Sequence, residues 1–146
     1  MLRNILITGP VTQNIIAEYI KTLGTKTDSG GHSVFIGQVR ADNVGGRIVK
    51  AIEYSAYESM VSSEASRIIE TILSEFNDVR SVDIVHSVGI VRAGEISLFV
   101  LVSAGHRHHA INACSKTVEL IKEKLPVWKK EIFKDNSSEW KKDSLA

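Results

Sequence analysis

The stretch Glu95–Phe133, EISLFVLVSAGHRHHAINACSKTVELIKEKLPVWKKEIF, decides the fold. Its opening EISLFVLVS (95–103) is so nearly continuous in apolar residues that it reads as a central strand. A helix follows from about His108 to Leu125. Ile111, Cys114, Val118, Ile121 and Leu125 fall at successive spacings of 3, 4, 3 and 4, which draws one apolar stripe along it. Pro126 lacks the amide hydrogen a further turn would need and stops the helix. VWKKEIF (127–133) then reads as a last strand before a polar tail.

Upstream, Asn4–Thr8 reads as a strand that turns at Gly9-Pro10. Thr12 is placed to cap a short helix carrying Ile15, Ile16, Tyr19, Ile20 and Leu23 at helical spacing. Residues 24–31 form a loop. HSVFIGQVR (32–40) and IVKAIEY (48–54) are strand-like and flank the paired glycines of ADNVGGR (41–47), which predicts a hairpin between them. Residues 57–76 form a long helix whose stripe is Val61, Ala65, Ile68, Ile69, Ile72, Leu73 and Phe76. SVDIVHSVG (81–89) alternates with period two, and Arg92-Ala93-Gly94 turns the chain into the central strand. The order β-α-β-β-α-β-β-α-β implies an α+β fold: a mixed, largely antiparallel sheet with helices packed mostly on one face.

The 146 residues suit one domain, 1–146, and leave no room for two full ones. With 43% apolar and 24% charged residues the composition is globular and excludes disorder and low complexity. No apolar run approaches the ~20 residues of a membrane span, and the N-terminal run lacks the pattern of a signal peptide. One cysteine allows no internal disulfide, which predicts a cytoplasmic protein. The net charge of +1 divides unevenly: residues 105–146 hold nine Lys/Arg against six Asp/Glu, and residues 1–104 nine against eleven. This balance is too weak for a typical nucleic-acid domain and better suits a small anion or an acidic partner.

Cys114 lies within the stripe and reads as a small buried hydrophobe rather than a nucleophile. Lys122 sits at the stripe's border, where two readings stand. It snorkels, or its ammonium is held at a pocket rim where partial burial readies it for proton transfer. GHRHH (105–109) joins strand to helix, a place where free backbone N–H groups and the helix dipole favour anions. His106 and Arg107 add donors suited to phosphate or carboxylate, and a plain polar surface is the competing reading. The histidine spacing completes no metal ligand set. Arg40 ends a strand beside a glycine-containing loop, a common place for binding residues. No close acidic pair, phosphate loop or nucleophile elbow is present.

Taken together, FIGQVR…GG, EYSAYESM, GE opening a strand, HRHHA opening a helix, and K-x-x-x-PVWKKE occur in the order seen in the large, catalytic subunit of molybdopterin synthase, which the chain resembles over roughly residues 31–140. The resemblance implies an α/β hammerhead fold and a homodimer that carries a small ubiquitin-like sulfur-carrier subunit at each end, a heterotetramer in all. The carrier's Gly-Gly tail, as a thiocarboxylate, would donate sulfur to cyclic pyranopterin monophosphate (precursor Z). Two such transfers would build the dithiolene of molybdopterin. The family's pocket residues fall on Gln38, Val39, Arg40, His106, Arg107, Lys122, Lys129, Lys130 and Glu131, with catalytic parts implied for Lys122 and Lys129. No cofactor or metal is implied, nor any nucleic-acid or membrane partner.

The chain departs from the family at three places. Gln38 stands where a basic residue is frequent, and Ser87 follows His86 where Arg is frequent. The short tail has Lys141 and Lys142 where the family places an arginine. The alternative class is a non-catalytic, carrier-binding scaffold, against which the retention of both lysines argues.

Overall fold

The computed structural model describes residues 5–141; Asn4 and Lys142 lie outside the described residues. Eight strands, β1 (Leu6–Thr8), β2 (Gly31–Gln38), β3 (Asn43–Val44), β4 (Arg47–Ala56), β5 (Val79–Arg92), β6 (Ile96–Ala104), β7 (Val127–Phe133) and β8 (Ser138–Trp140), form one sheet. Its helices are α1 (Gln13–Lys21), α2 (Glu58–Glu75) and α3 (Arg107–Lys124). The strand order is β2-β6-β5-β4-β7-β8, antiparallel throughout, with β3 attached to β4 and β1 running parallel to β5. This is the expected α+β fold with a mixed, largely antiparallel sheet.

The expected hairpin between residues 32–40 and 48–54 does not form. β2 pairs with β6, while β4 pairs with β5 and β7. The paired glycines instead close a small hairpin between β3 and β4. Gly45 and Gly46 both take positive φ (59° and 87°), as a two-residue turn of that hand requires. β3 spans only two residues, so it occupies the hairpin position locally and leaves β2 free for the longer partner.

β6 earns its continuous apolar run by being covered on both faces. Leu98, Val100, Val102 and Ala104 join the core under α2 and α3, while Phe99 and Leu101 join a second cluster with Val11, Val85 and Tyr19 of the α1 side. Burial of a large apolar side chain stabilises by about 1.5–3 kcal/mol, so neither face tolerates a polar substitution. α1 starts as expected, Ile15 N–H donating to the Thr12 hydroxyl at 3.3 Å.

In α3 the buried face is rotated from the predicted stripe. Ala110, Ala113, Thr117 and Leu120 are buried with Cys114, Val118 and Ile121, whereas Ile111 is 58% exposed. Small residues let the helix approach the sheet closely, and Thr117 hides its polarity by donating to the Ala113 carbonyl at 2.7 Å. Leu73 of α2 is likewise exposed rather than buried.

β5 is the long strand that joins the two ends of the sheet. Residues 79–86 pair with β6 and residues 89–92 with β4, while β1 lies along 86–88. Gly89 provides the change of course with φ 82°. At the far edge, part of the polar tail forms β8. It is pinned by Arg47, which pairs with Glu139 at 2.6 Å and lies 4.0 Å over the Phe133 ring. Its end returns Lys141 to β7, with the Lys141 N–H donating to the Lys129 carbonyl at 2.9 Å.

Candidate active site

A cavity of about 320 Å³ opens where the ends of β2 and α3 meet the faces of β4, β5 and β7. Gln38, Val39 and Arg40 border it from the end of β2, Lys122 from the last turn of α3, and Lys129 and Glu131 from β7. The loop after β2 is fixed by its backbone. Val39 donates to the Glu95 carbonyl at 3.0 Å and accepts from Gly94 at 2.8 Å, which buries its side chain. Arg40 stays exposed, its Nε 3.3 Å from Asp42.

Strand alternation sorts the WKKE residues. Lys129 and Glu131 share the cavity face, and Lys130 takes the opposite one, 3.4 Å from Glu53 and 5.2 Å from the Trp140 ring centroid. The Lys129 ammonium is pushed down to about 8, first by burial and then by the charges of Lys141 and Lys122; Glu131 opposes the shift, and Arg40 adds to it. Among the described residues no carboxylate forms an ion pair with Lys129. A lysine left this way at neutral pH is a proton donor or acceptor near its working point.

Lys141 also borders the cavity, as do Tyr54, His86 and Ser97, which sequence reasoning missed as site residues. The hydroxyl of Tyr54 donates to Ser97 Oγ at 2.9 Å, and burial raises that hydroxyl's pKa against the hydrogen bond. His86, buried in the floor, meets the Tyr54 ring edge-on with centroids 5.2 Å apart. The available signal was a histidine among the inward positions of an alternating strand.

His106 and Arg107 are not brought to this cavity in the protomer. They line a second one, about 510 Å³, with Gly30 at the start of α3. Asp78 organises this corner. Its carboxylate accepts the His106 N–H at 2.7 Å and lies 3.1 Å from His106 Nδ1 and 3.2 Å from His109 Nδ1. Burial works against its charge, but the bonds from the two histidines prevail and hold the carboxyl below its usual range. The two cavities flank opposite ends of β2, about 23 Å apart along a strand of this length.

Among the described residues no set of three or more His, Cys, Asp or Glu is placed to hold a metal ion, and no helix is long and apolar enough to cross a membrane. Cys114 is buried and burial raises its thiol pKa, so it lies outside this chemistry.

Fold and cavity together define an α+β protein that gathers lysines and an arginine around a partly buried amine, a class suited to reactions of anionic substrates. The profile of the family described as MoaE protein matches residues 11–124, and the chain belongs to that family. A molybdopterin synthase catalytic subunit of Dictyostelium discoideum is 37% identical over 134 residues, 90% of this chain and 84% of that one. The chain spans only 37% of the corresponding protein of Drosophila grimshawi, at 35% identity over 91% of this chain. The crystal structure of molybdopterin synthase from Staphylococcus aureus superposes with TM-score 0.85 at 29% identity, covering 97% of this chain and 98% of that one. These relatives are named as enzyme subunits of molybdopterin synthesis.

Proposed function

We propose that this chain is the catalytic subunit of a cytoplasmic molybdopterin synthase, a sulfurtransferase acting on precursor Z. The observation that carries the reading is the convergence of Lys122 and Lys129 on one cavity, with the Lys129 ammonium depressed to about 8. A small carrier protein presents sulfur as a C-terminal thiocarboxylate. Carrier tail and cyclic phosphate are both anions, and Arg40, Lys122 and Lys141 offset their mutual repulsion while holding them together. Lys129 moves the proton, because its amine is near balance between its two forms. Lys122, exposed at the rim, faces the developing anion and lowers the pKa of the Lys129 ammonium.

A second copy of the chain completes the site. β2 is an edge strand whose outward row includes Val34 and Ile36, 41% and 46% exposed. Such an edge is a template for pairing. Antiparallel pairing of β2 with its own copy brings the start of β2 in one protomer toward the end of β2 in the other. Gly31 packs against the Arg107 backbone too closely to admit a side chain. His106 and Arg107 of the partner subunit therefore arrive at the Gln38–Arg40 rim. This gives those two residues a part in substrate binding that one protomer alone does not offer.

The test combines the purified chain with a thiocarboxylated carrier and precursor Z, and measures molybdopterin as its fluorescent oxidation product. Product dependent on the chain is the expected result. Stable carrier binding without product would replace this reading with that of a scaffold.

A further inference from the structure

His86 has a role that the cationic groups around it do not provide. The imidazole is 2% exposed and lies in the floor of the first cavity. Its Nδ1 stands 2.8 Å from the Ser87 carbonyl oxygen. A carbonyl only accepts, so Nδ1 carries the hydrogen and the neutral ring presents its lone pair at Nε2. Among the described residues no group bonds to Nε2. The neutral form is enforced by burial and by the nearby Lys129 charge, which outweigh the Ser87 bond and bring the imidazolium pKa down to about 4. Tyr54 offers no competing donor, since its hydroxyl is committed to Ser97 and its ring meets the imidazole edge-on.

We infer that His86 is a specificity-determining residue whose Nε2 accepts a hydrogen bond from a ring N–H of the heterocycle bound in this cavity. The inference deepens the proposed function and rests on the cavity being the substrate site. Arg40, Lys122, Lys129 and Lys141 recognise negative charge and would accept any small phosphate. A fixed neutral acceptor among them reads a donor instead, and so separates a pterin bearing ring N–H groups from an anion without them. Discrimination of this kind is strong because a ligand without the donor leaves the buried Nε2 unpaired.

The test is a calorimetric titration of precursor Z into wild type, His86→Leu and His86→Gln, with inorganic phosphate as the competing anion. Leu fills the site without an acceptor, whereas the Gln amide reaches the Nε2 position. His86→Leu is expected to bind precursor Z about tenfold more weakly and His86→Gln to stay within about threefold of wild type, with phosphate unaffected in both. Unchanged affinity in His86→Leu would overturn the inference, as would an equal loss for phosphate. A further check on the wild-type chain covers the case in which His86→Leu does not fold: imidazole 15N spectra should show an unprotonated Nε2 that shifts on adding precursor Z, and an unmoved resonance would also overturn it. Normal turnover with normal His86→Leu affinity would remove this inference alone. A selective affinity loss without turnover by the wild type would remove the synthase reading alone.

Discussion

Lys122 and Lys129 leave α3 and β7 on either side of the Pro126 turn and border the same cavity, close enough that the charge of one lowers the ammonium pKa of the other. The turn is what lets a helix end and a strand start supply both amines.

The first consequence is a pH limb. If Lys129 works as the free amine, turnover rises as pH passes through about 8. Lys141 is the strongest of the neighbouring charges that depress it. Lys141→Gln should therefore move the limb to higher pH, read from kcat against pH between 6 and 10. An unmoved limb would assign the titration to another group.

Lys129 also costs stability. Its pKa is about 8 in the fold and 10.5 ordinarily, so the cost is full below about pH 8 and disappears above about 10.5. Lys129→Met should stabilise the fold at pH 7 by about 1–2 kcal/mol after allowance for its partial exposure. Urea unfolding at pH 7 and pH 10.5 measures this, and the gain should shrink at the higher pH.

His86 contributes to the acid side of the stability curve. The fold holds it neutral with pKa about 4 against 6.5 ordinarily, so the folded chain binds fewer protons in that window. Its contribution is complete above about pH 6.5 and is lost as pH falls through 6.5 toward 4, by up to about 3 kcal/mol. His86→Gln should flatten this part of the decline in urea unfolding between pH 7 and pH 4.5.

The shared site predicts subunit complementation. Val34→Lys, on the exposed row of β2 and outside the first cavity, should give a folded monomer by sedimentation and lose turnover. Lys129→Ala and Arg107→Ala, each inactive alone, should regain about a quarter of wild-type activity when their subunits are mixed, because half the dimers then hold one intact site. No recovery on mixing would place Arg107 outside the partner's site.

Much of this architecture was legible from periodicity. The central strand and α3 followed from apolar spacing, and helix ends were marked by the Thr12 hydroxyl and by the amide hydrogen that Pro126 lacks. The partner of β2 was not legible, because hydrophobic alternation fixes a strand's faces but not which edge it meets. The two glycines pointed to a hairpin, yet the turn they close is β3–β4. Ile111 misled for a related reason: its hydrophobicity suggested the buried face, while Ala110, Ala113 and Thr117 made the close contact. In the site, Lys122 was legible at the edge of its stripe, whereas the resemblance put both Lys129 and Lys130 in the pocket and only the pairing of β7 sends Lys130 to the other face. His86 and Tyr54 come from strands distant in sequence, and only the sheet shows that they share a floor.

The adjacent lysines of β7 offer the most direct test of the central claim. Lys129 lies in the cavity and Lys130 pairs with Glu53 on the other face. Molybdopterin formation from precursor Z and thiocarboxylated carrier should be compared for Lys129→Ala and Lys130→Ala, with carrier binding followed in parallel. The account predicts loss of product by at least about a hundredfold for Lys129→Ala with carrier binding retained, and near-normal product for Lys130→Ala. Near-normal product from Lys129→Ala would contradict it.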